Sequence, residues 1–220
     1  SEVHPDKVCD RISDAIVDLM ISKYPEARVA CETLVTTNRT IIAGEYRLAD
    51  GIKITNDEIE ELVRKIVYDI GYEQEGYHWE KMHFECHLHS QSSNIAIGVD
   101  KAGNKDEGAG DQGLMFGYAC DETDALMPAP IYYAHNILKE MAKIRHNDKT
   151  SIFLPDSKSQ ITLKYKDGKP IKASSVVVST QHKKNCSQDD VREIVRDIVM
   201  RILPEGWMCP EDELYVNPTG

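Results

Sequence analysis

The chain has 220 residues, 29% of them charged and 41% apolar, with a formal net charge of -11. That length allows one large or two small domains with a real core, and the composition is that of a soluble globular protein. The acidic balance argues against a nucleic-acid-binding surface, which needs a basic stripe, but leaves room for a local basic pocket on a phosphate substrate. No apolar run approaches a membrane span and no secretory signal is visible. Cys9, Cys31, Cys86, Cys120, Cys186 and Cys209 are dispersed without a CxxC pair, which reads as free thiols in a reducing cytosol. The chain opens without Met directly on a motif and stops just after a strand-like run, so both ends read as cut.

His4-Pro5-Asp6-Lys7 comes first. Pro5 suits a first helical turn, and Val8, Ile12, Ala15, Ile16, Leu19 and Met20 then line one face of a helix. His4 and Asp6 therefore lie near a helix N-terminus, which favours anions such as phosphates; a plain cap with an exposed histidine is the competing reading. Two β-branched runs, 29–36 and 41–48, are bounded by Thr37-Asn38-Arg39 and predict a hairpin. Glu32 and Glu45 fall inside these runs, where an acid belongs on a solvated face. Asp50-Gly51 marks a turn. Thr55 with Glu58 predicts a capping box, and Ile59, Leu62, Val63, Ile66, Val67 and Ile70 a helical stripe that Gly71 ends. A strand over 82–90 places His83, Glu85, His87 and His89 on one face. Those groups could bind a transition metal, but neighbouring same-face side chains diverge along a strand and no tetrahedral motif is complete. The preferred reading is a polar sheet face.

Residues 91–107 are rich in Ser, Asn, Gly and Lys, the composition of a mobile loop and a candidate lid. Gly108-Ala109-Gly110-Asp111-Gln112-Gly113 follows, where glycines let the backbone come close to a ligand beside one carboxylate and one amide. It is neither a dinucleotide fingerprint nor a Walker loop. Pro130 opens a helix over 131–144 with Ile131, Ala134, His135, Leu138, Met141 and Ala142 on one face, which makes His135 a core histidine. The stretch 154–160 precedes a hairpin of strands 160–165 and 172–180, with Asp167-Gly168 at its turn. Ser187 and Asp190 then open a helix with Val191, Ile194, Val195, Ile198, Val199 and Ile202, which Pro204 stops, and a short strand covers 213–217.

The order helix, hairpin, helix, strand thus occurs twice. The expected fold is α+β, a duplicated repeat of mixed sheets with helices on one face. We divide it into 1–97, a linking lid and Gly-rich region over 98–129, and 130–220. Two such sheets leave a broad face uncovered, which predicts an oligomer.

Residues 108–130 resemble the signature region of the S-adenosylmethionine synthetase family. HPDK at 4–7, ACET at 30–33, AGE at 43–45, PDSKSQ at 155–160, STQH at 179–182 and NPTG at 217–220 resemble that family in the same order along essentially the whole chain. The resemblance implies that ATP and L-methionine are joined with release of triphosphate, which is then cleaved to diphosphate and phosphate. It also implies two Mg²⁺ per site and K⁺. By the same resemblance His4 contacts the leaving oxygen or triphosphate, Lys158 holds a phosphate oxygen, and Asp156 lies near the nucleotide. Asp6 binds Mg²⁺ and Glu32 binds K⁺. Glu45 and Gln91 take methionine positions, and Asp111 contacts methionine or the adenosyl group. The family also implies a homodimer or dimer of dimers, in the cytoplasm, with active sites between subunits and no nucleic acid or membrane partner. Val3 departs from the family's usual glycine and Ser93-Asn94 from its usual Pro-Asp. A Gly-rich segment and third repeat that the family carries after NPTG have no counterpart in these residues. The alternative is a truncated, inactive dimerisation or scaffold module; a triphosphate phosphohydrolase that ignores methionine is a further rival.

Overall fold

Pro5 supplies a preset φ for the first turn of α1 (Pro5–Lys23), which buries Val8, Ile12, Ile16 and Met20 along one stripe, as the sequence predicts. The computed structural model describes residues 1, 3–91, 113–148 and 150–218. They fall into two units, Pro5–Phe116 and Ser1–His4 with Gly117–Gly220. The expected lid, Ser93-Asn94 and the stretch 108–112 with Asp111 lie outside the described residues.

In the unit Pro5–Phe116, β1 (Arg28–Thr36) and β2 (Arg39–Arg47) form an antiparallel hairpin. Asn38 turns it at φ 47, and Arg39, expected in the turn, already begins β2. Ser13 Oγ and Thr33 Oγ1 lie 2.8 Å apart, so α1 covers the face of β1 that carries Thr33. Next comes α2 (Asn56–Ile70), capped by Thr55 Oγ1, which accepts from the Glu58 N–H at 3.2 Å. The Glu58 carboxylate, expected to complete a capping box, accepts instead from Lys23 Nζ at 2.5 Å. Gly71 closes the helix at φ 99. A ribbon of β3 (Glu73–Gln74) and β4 (Tyr77–His78) follows; strands of two residues leave no periodicity to read. Arg64 of α2, gripped by Glu60, donates to the carbonyls of Trp79, Glu80 and Met82 at 2.7–3.1 Å. That network fixes the entry to β5 (His83–Ser90), which pairs parallel to β2, giving the order β1-β2-β5.

The other unit opens on α3 (Ala129–Asn147), which buries Ala129, Ala134, Ile137, Leu138 and Met141. His135 is exposed and not a core histidine, and Ile131 is 43% exposed. The buried stripe runs through Ile137, which turns both residues away from it. β6 (Phe153–Lys166) and β7 (Lys169–His182) make a long antiparallel hairpin; Asp167 (φ 52) and Gly168 (φ 76) supply the two positive-φ positions of its turn. Pro155-Asp156-Ser157-Lys158-Ser159-Gln160 lies inside β6 rather than before the hairpin. The strand tolerates Pro155 because the register slips between Phe153 and Ser157, where no ladder N–H is demanded of it. The helix α4 (Gln188–Ile202) has a complete capping box between Ser187 and Asp190. After a 3₁₀ turn at Glu211–Glu213, β8 (Leu214–Val216) pairs parallel to β7, giving β6-β7-β8. Arg192 of α4 donates to the carbonyls of Leu214 and Glu211 at 2.6 and 2.8 Å. Ile137, Phe153, Ile161, Val176, Val178, Val195 and Ile198 form the centre of one core. The fold is α+β, with mixed sheets.

Gly44 in β2 has φ 136, and a Cβ there would meet the Ala30 carbonyl oxygen at 2.0 Å. Substituting Ala adds left-handed strain to a backbone clash that no rotamer relieves. We expect Gly44→Ala to destabilise its unit by about 2–4 kcal/mol. An unchanged urea midpoint would show that β1 moves aside freely.

Candidate functional site

Strand parity decides which side chains can meet a ligand. In the first sheet the register pairs Ala30 with Glu45, Glu32 with Ala43 and Leu34 with Ile41, so these residues share the face opposite α1. Glu32 is exposed and Glu45 half-buried. Gln91 leaves the end of β5 with its N–H on the Tyr46 carbonyl at 2.8 Å. Its Nε2 donates to Glu45 Oε1 at 3.3 Å. The two expected methionine positions, 46 residues apart in the chain, are thus brought together. On the same face Glu85 forms an ion pair with Arg39 and lies 3.4 Å from His83 Nε2 and 3.6 Å from His87 Nε2. Partial desolvation pushes the Glu85 carboxyl up, but the hydrogen bonds and charge of Arg39 and the neighbouring imidazoles outweigh it and leave it below the usual range. No group of three metal-ligating side chains exists among the described residues.

The HPDK motif is divided between the units. His4 is half-buried and its N–H reaches the Ser1 carbonyl at 3.3 Å. The backbone N of Ser1 donates to the Ser157 carbonyl at 3.0 Å, and Ser1 Oγ accepts from the Ser157 N–H at 3.4 Å. The segment carrying His4 is therefore laid against the middle of PDSKSQ. Asp6 begins α1 as an exposed carboxylate, with Lys7 beside it bridging to Asp10 at 2.8 Å.

In β6, Phe153, Pro155, Ser157 and Ile161 are buried, and Ser159 Oγ donates to the Ala134 carbonyl of α3 at 2.7 Å. Asp156 and Lys158 point the other way. Lys158 is exposed opposite Ser179 of STQH. Asp156 Oδ1 is buried and has no hydrogen-bond partner among the described residues. A buried carboxylate oxygen left without a donor costs about 1–3 kcal/mol, so it invites a ligand N–H or O–H or a cation. At the end of β8, beside β7, Asn217 of NPTG, at φ 46, holds Thr180 of STQH: its Oδ1 accepts from the Thr180 N–H at 2.7 Å and its Nδ2 donates to the Thr180 carbonyl at 3.1 Å. The sequence marks Asn217 only as part of a motif; the strand pairing that gives it a partner is long-range.

Glu122 is a second residue that the sequence reading passed over. One oxygen, Oε2, accepts from the Ala129 N–H at the start of α3 and from the Tyr165 hydroxyl, both at 2.8 Å. It spans a turn in which Leu126 takes φ 56 and Thr123 is bonded to Met127 in both directions. A cap seven residues ahead of its helix matches no local capping pattern, so only the fold reveals it.

Each α+β unit, taken by itself, sets charged or amide side chains on an uncovered sheet face, a surface suited to a small, charged ligand. Residues 1–93 match the family model described as the N-terminal domain of S-adenosylmethionine synthetase, and 106–220 match the model of its central domain. The chain belongs to the S-adenosylmethionine synthetase family. It is 64% identical to a protein of Parvibaculum lavamentivorans and 61% identical to one of Rhodospirillum centenum, both named S-adenosylmethionine synthase. It is 63% identical to S-adenosylmethionine synthase 2 of Rhodospirillum rubrum. Each match covers 100% of this chain and 56% of the relative, so the chain spans little more than half the length of the curated relatives it matches.

The Glu122 clasp has a titration signature. Burial, then the hydrogen bond and charge of Glu122, push the Tyr165 hydroxyl up to about 12. A folded-state value above the unfolded one gives a contribution that is complete below about pH 10 and lost as pH rises toward 12. Glu122→Gln should move one phenolate absorbance step to lower pH and weaken that alkaline dependence. An unmoved step would remove Glu122 from the account.

Proposed function

We propose that the protein makes S-adenosylmethionine from ATP and L-methionine and cleaves the released triphosphate to diphosphate and phosphate. The matches to both domain models, in order and over nearly all of the chain, carry this reading. In the reaction a methionine sulfur lone pair forms the bond to C5′ of ATP, the C5′–O5′ bond breaks, and its electrons leave with the triphosphate. A thioether has no proton to lose, so no general base is needed. The barrier lies in alignment and in the charge that develops on the leaving oxygen.

The described side chains suit those tasks. Lys158, exposed on a rigid strand, acts as a compact charge on phosphate, with His4 as a second donor to the leaving oxygen or triphosphate. The unpartnered Oδ1 of Asp156 takes a nucleotide donor. Glu45 accepts from the methionine ammonium and Gln91 donates to its carboxylate; their mutual hydrogen bond holds both in place beforehand. Asp111 is proposed to contact methionine or the adenosyl group. Mg²⁺ is held by one or two carboxylates with substrate phosphates supplying the other oxygens, and Asp6, an exposed hard donor at a helix N-terminus, fits that pattern. Bound there, Mg²⁺ would neutralise phosphate charge. Glu32, on the uncovered face, is the proposed K⁺ carboxylate.

The order helix, hairpin, helix and parallel strand in both units supports an internal duplication, with repeats over 1–97 and 130–220 joined by 98–129. We also place the protein in the cytosol as a homodimer or dimer of dimers. Leu34 is 54% exposed on the uncovered face of its sheet, where a second copy would bury it. If so, Leu34→Glu lowers the mass measured by light scattering to that of a single chain; an unchanged mass places the contact elsewhere.

The deciding experiment incubates the protein with ATP, with and without methionine, and measures S-adenosylmethionine, phosphate and diphosphate. Methionine-dependent product is expected. Lys158→Met and Asp6→Asn should each lower kcat by about 10²-fold or more, and near-normal turnover in either would overturn the role assigned. Absence of product with self-association retained would favour the scaffold reading, and triphosphate cleavage indifferent to methionine a phosphohydrolase.

A further inference from the structure

β2, α2 and β5 form a β-α-β unit whose two strands run parallel. In open sheets the crevice beyond the carboxyl ends of parallel strands is where ligands collect, because the strands stop there and the chain splays into loops. Here that crevice exists. Past the last strand pair, Tyr46 with Ser90, lies a cleft of about 450 Å³. The β2–α2 connection turns at Asp50-Gly51, with Gly51 at φ 87 and the Ile52 N–H on the Ala49 carbonyl at 3.1 Å, and residues 46–48 and 52–55 on either side of that turn line the cleft.

Its lining is chemically one-sided. Arg47 and Lys53 supply two cations, Thr55 and Ser90 hydroxyls, Gln91 an amide, and none of the nine lining residues is a carboxylate. Lys53 is exposed and forms no ion pair among the described residues. We propose that this cleft binds a small oxyanion of the phosphate class, held by Lys53 and Arg47 and oriented by the hydroxyls of Ser90 and Thr55. Charge-assisted hydrogen bonds to two cations, with neutral donors around them, are what such an anion needs. Gln91 is common to this cleft and to the hydrogen bond with Glu45. Its amide has two N–H groups, one directed at Glu45; the other, proposed above for the methionine carboxylate, is open to the anion when methionine is absent, as in the test below. Anion binding and the Glu45–Gln91 pair are therefore coupled through one side chain.

The test uses inorganic phosphate alone, without ATP or methionine, so it stands apart from the proposed catalysis. Phosphate is titrated at constant ionic strength into isotope-labelled protein, and the backbone resonances of Thr55 and Ser90 and the side-chain amide of Gln91 are followed. Saturable shifts at all three are expected. Lys53→Ala should weaken them about tenfold and Lys53→Ala with Arg47→Met should abolish them, with the thermal midpoint of Lys53→Ala unchanged because Lys53 is exposed. Absence of saturable shifts overturns the proposal. So do shifts that survive both substitutions, and so do shifts lost instead in Lys158→Met, which would assign the anion to the expected phosphate position on β6.

Discussion

A three-stranded sheet with helices on one side must alternate its side chains, and that alternation is the constraint on which the rest of the molecule depends. Along parts of β2, β6 and β7 alternate residues are buried against the helices, and in β1 they are half-buried. The residues in between are left to water, a partner or a ligand. In β6 the alternation places Phe153, Pro155, Ser157 and Ile161 inward and Asp156 and Lys158 outward. In β1 and β2 it places Glu32 and Glu45 on a common face away from α1. A one-residue slip in either strand would bury a charge and expose an aliphatic side chain. Core packing and site geometry are therefore fixed by the same register.

Register alone does not bring Glu45 to Gln91. That requires β5 to run parallel to β2, so that both strands finish at the same edge, and a parallel connection needs a crossover of a dozen or more residues. The sequence between the strands supplies α2, the small β3–β4 ribbon and the Arg64 grip on the carbonyls of Trp79, Glu80 and Met82. Gly44 allows the remaining step. With φ 136 and no room for a Cβ against Ala30, it lets β1 close on β2 one residue before Glu45. The glycine of AGE is thus a backbone requirement rather than a ligand contact.

The sequence made the local parts of this legible. Helical stripes, the caps at Thr55 and Ser187, and the hairpin turns at Asn38 and Asp167 each follow from residues a few positions apart, and the structure has them close to where they are expected. The family resemblance marked Glu45, Gln91, Asp156 and Lys158, and the structure places the first two in hydrogen-bond contact. What escaped was long-range or too short to be periodic. The extent of β6 was hidden by Pro155, whose missing N–H is harmless only because the partner strand slips there. His135 looked buried because a helical stripe can be drawn through it, whereas Ile137 and the core behind it select another rotation. Glu122 and Asn217 act on partners 43 and 37 residues away, distances at which sequence pattern carries no signal.

Asp156 shows why such a site belongs on strands. Leaving its Oδ1 buried and unpaired costs stability, and the fold sustains this because β6 is fixed on both sides. Ser159 ties the strand to α3, and Thr180 on the neighbouring strand is held by Asn217 at both its N–H and its carbonyl. Were this carboxylate on a loop, it would turn to water and lose its bias toward a ligand. For the proposed reaction that distinction matters. A thioether gains nothing from acid–base activation, so the available rate enhancement comes from charges and donors already in position when C5′ is attacked. Rigid strands, rather than the reactivity of any single side chain, are what such chemistry asks of a protein.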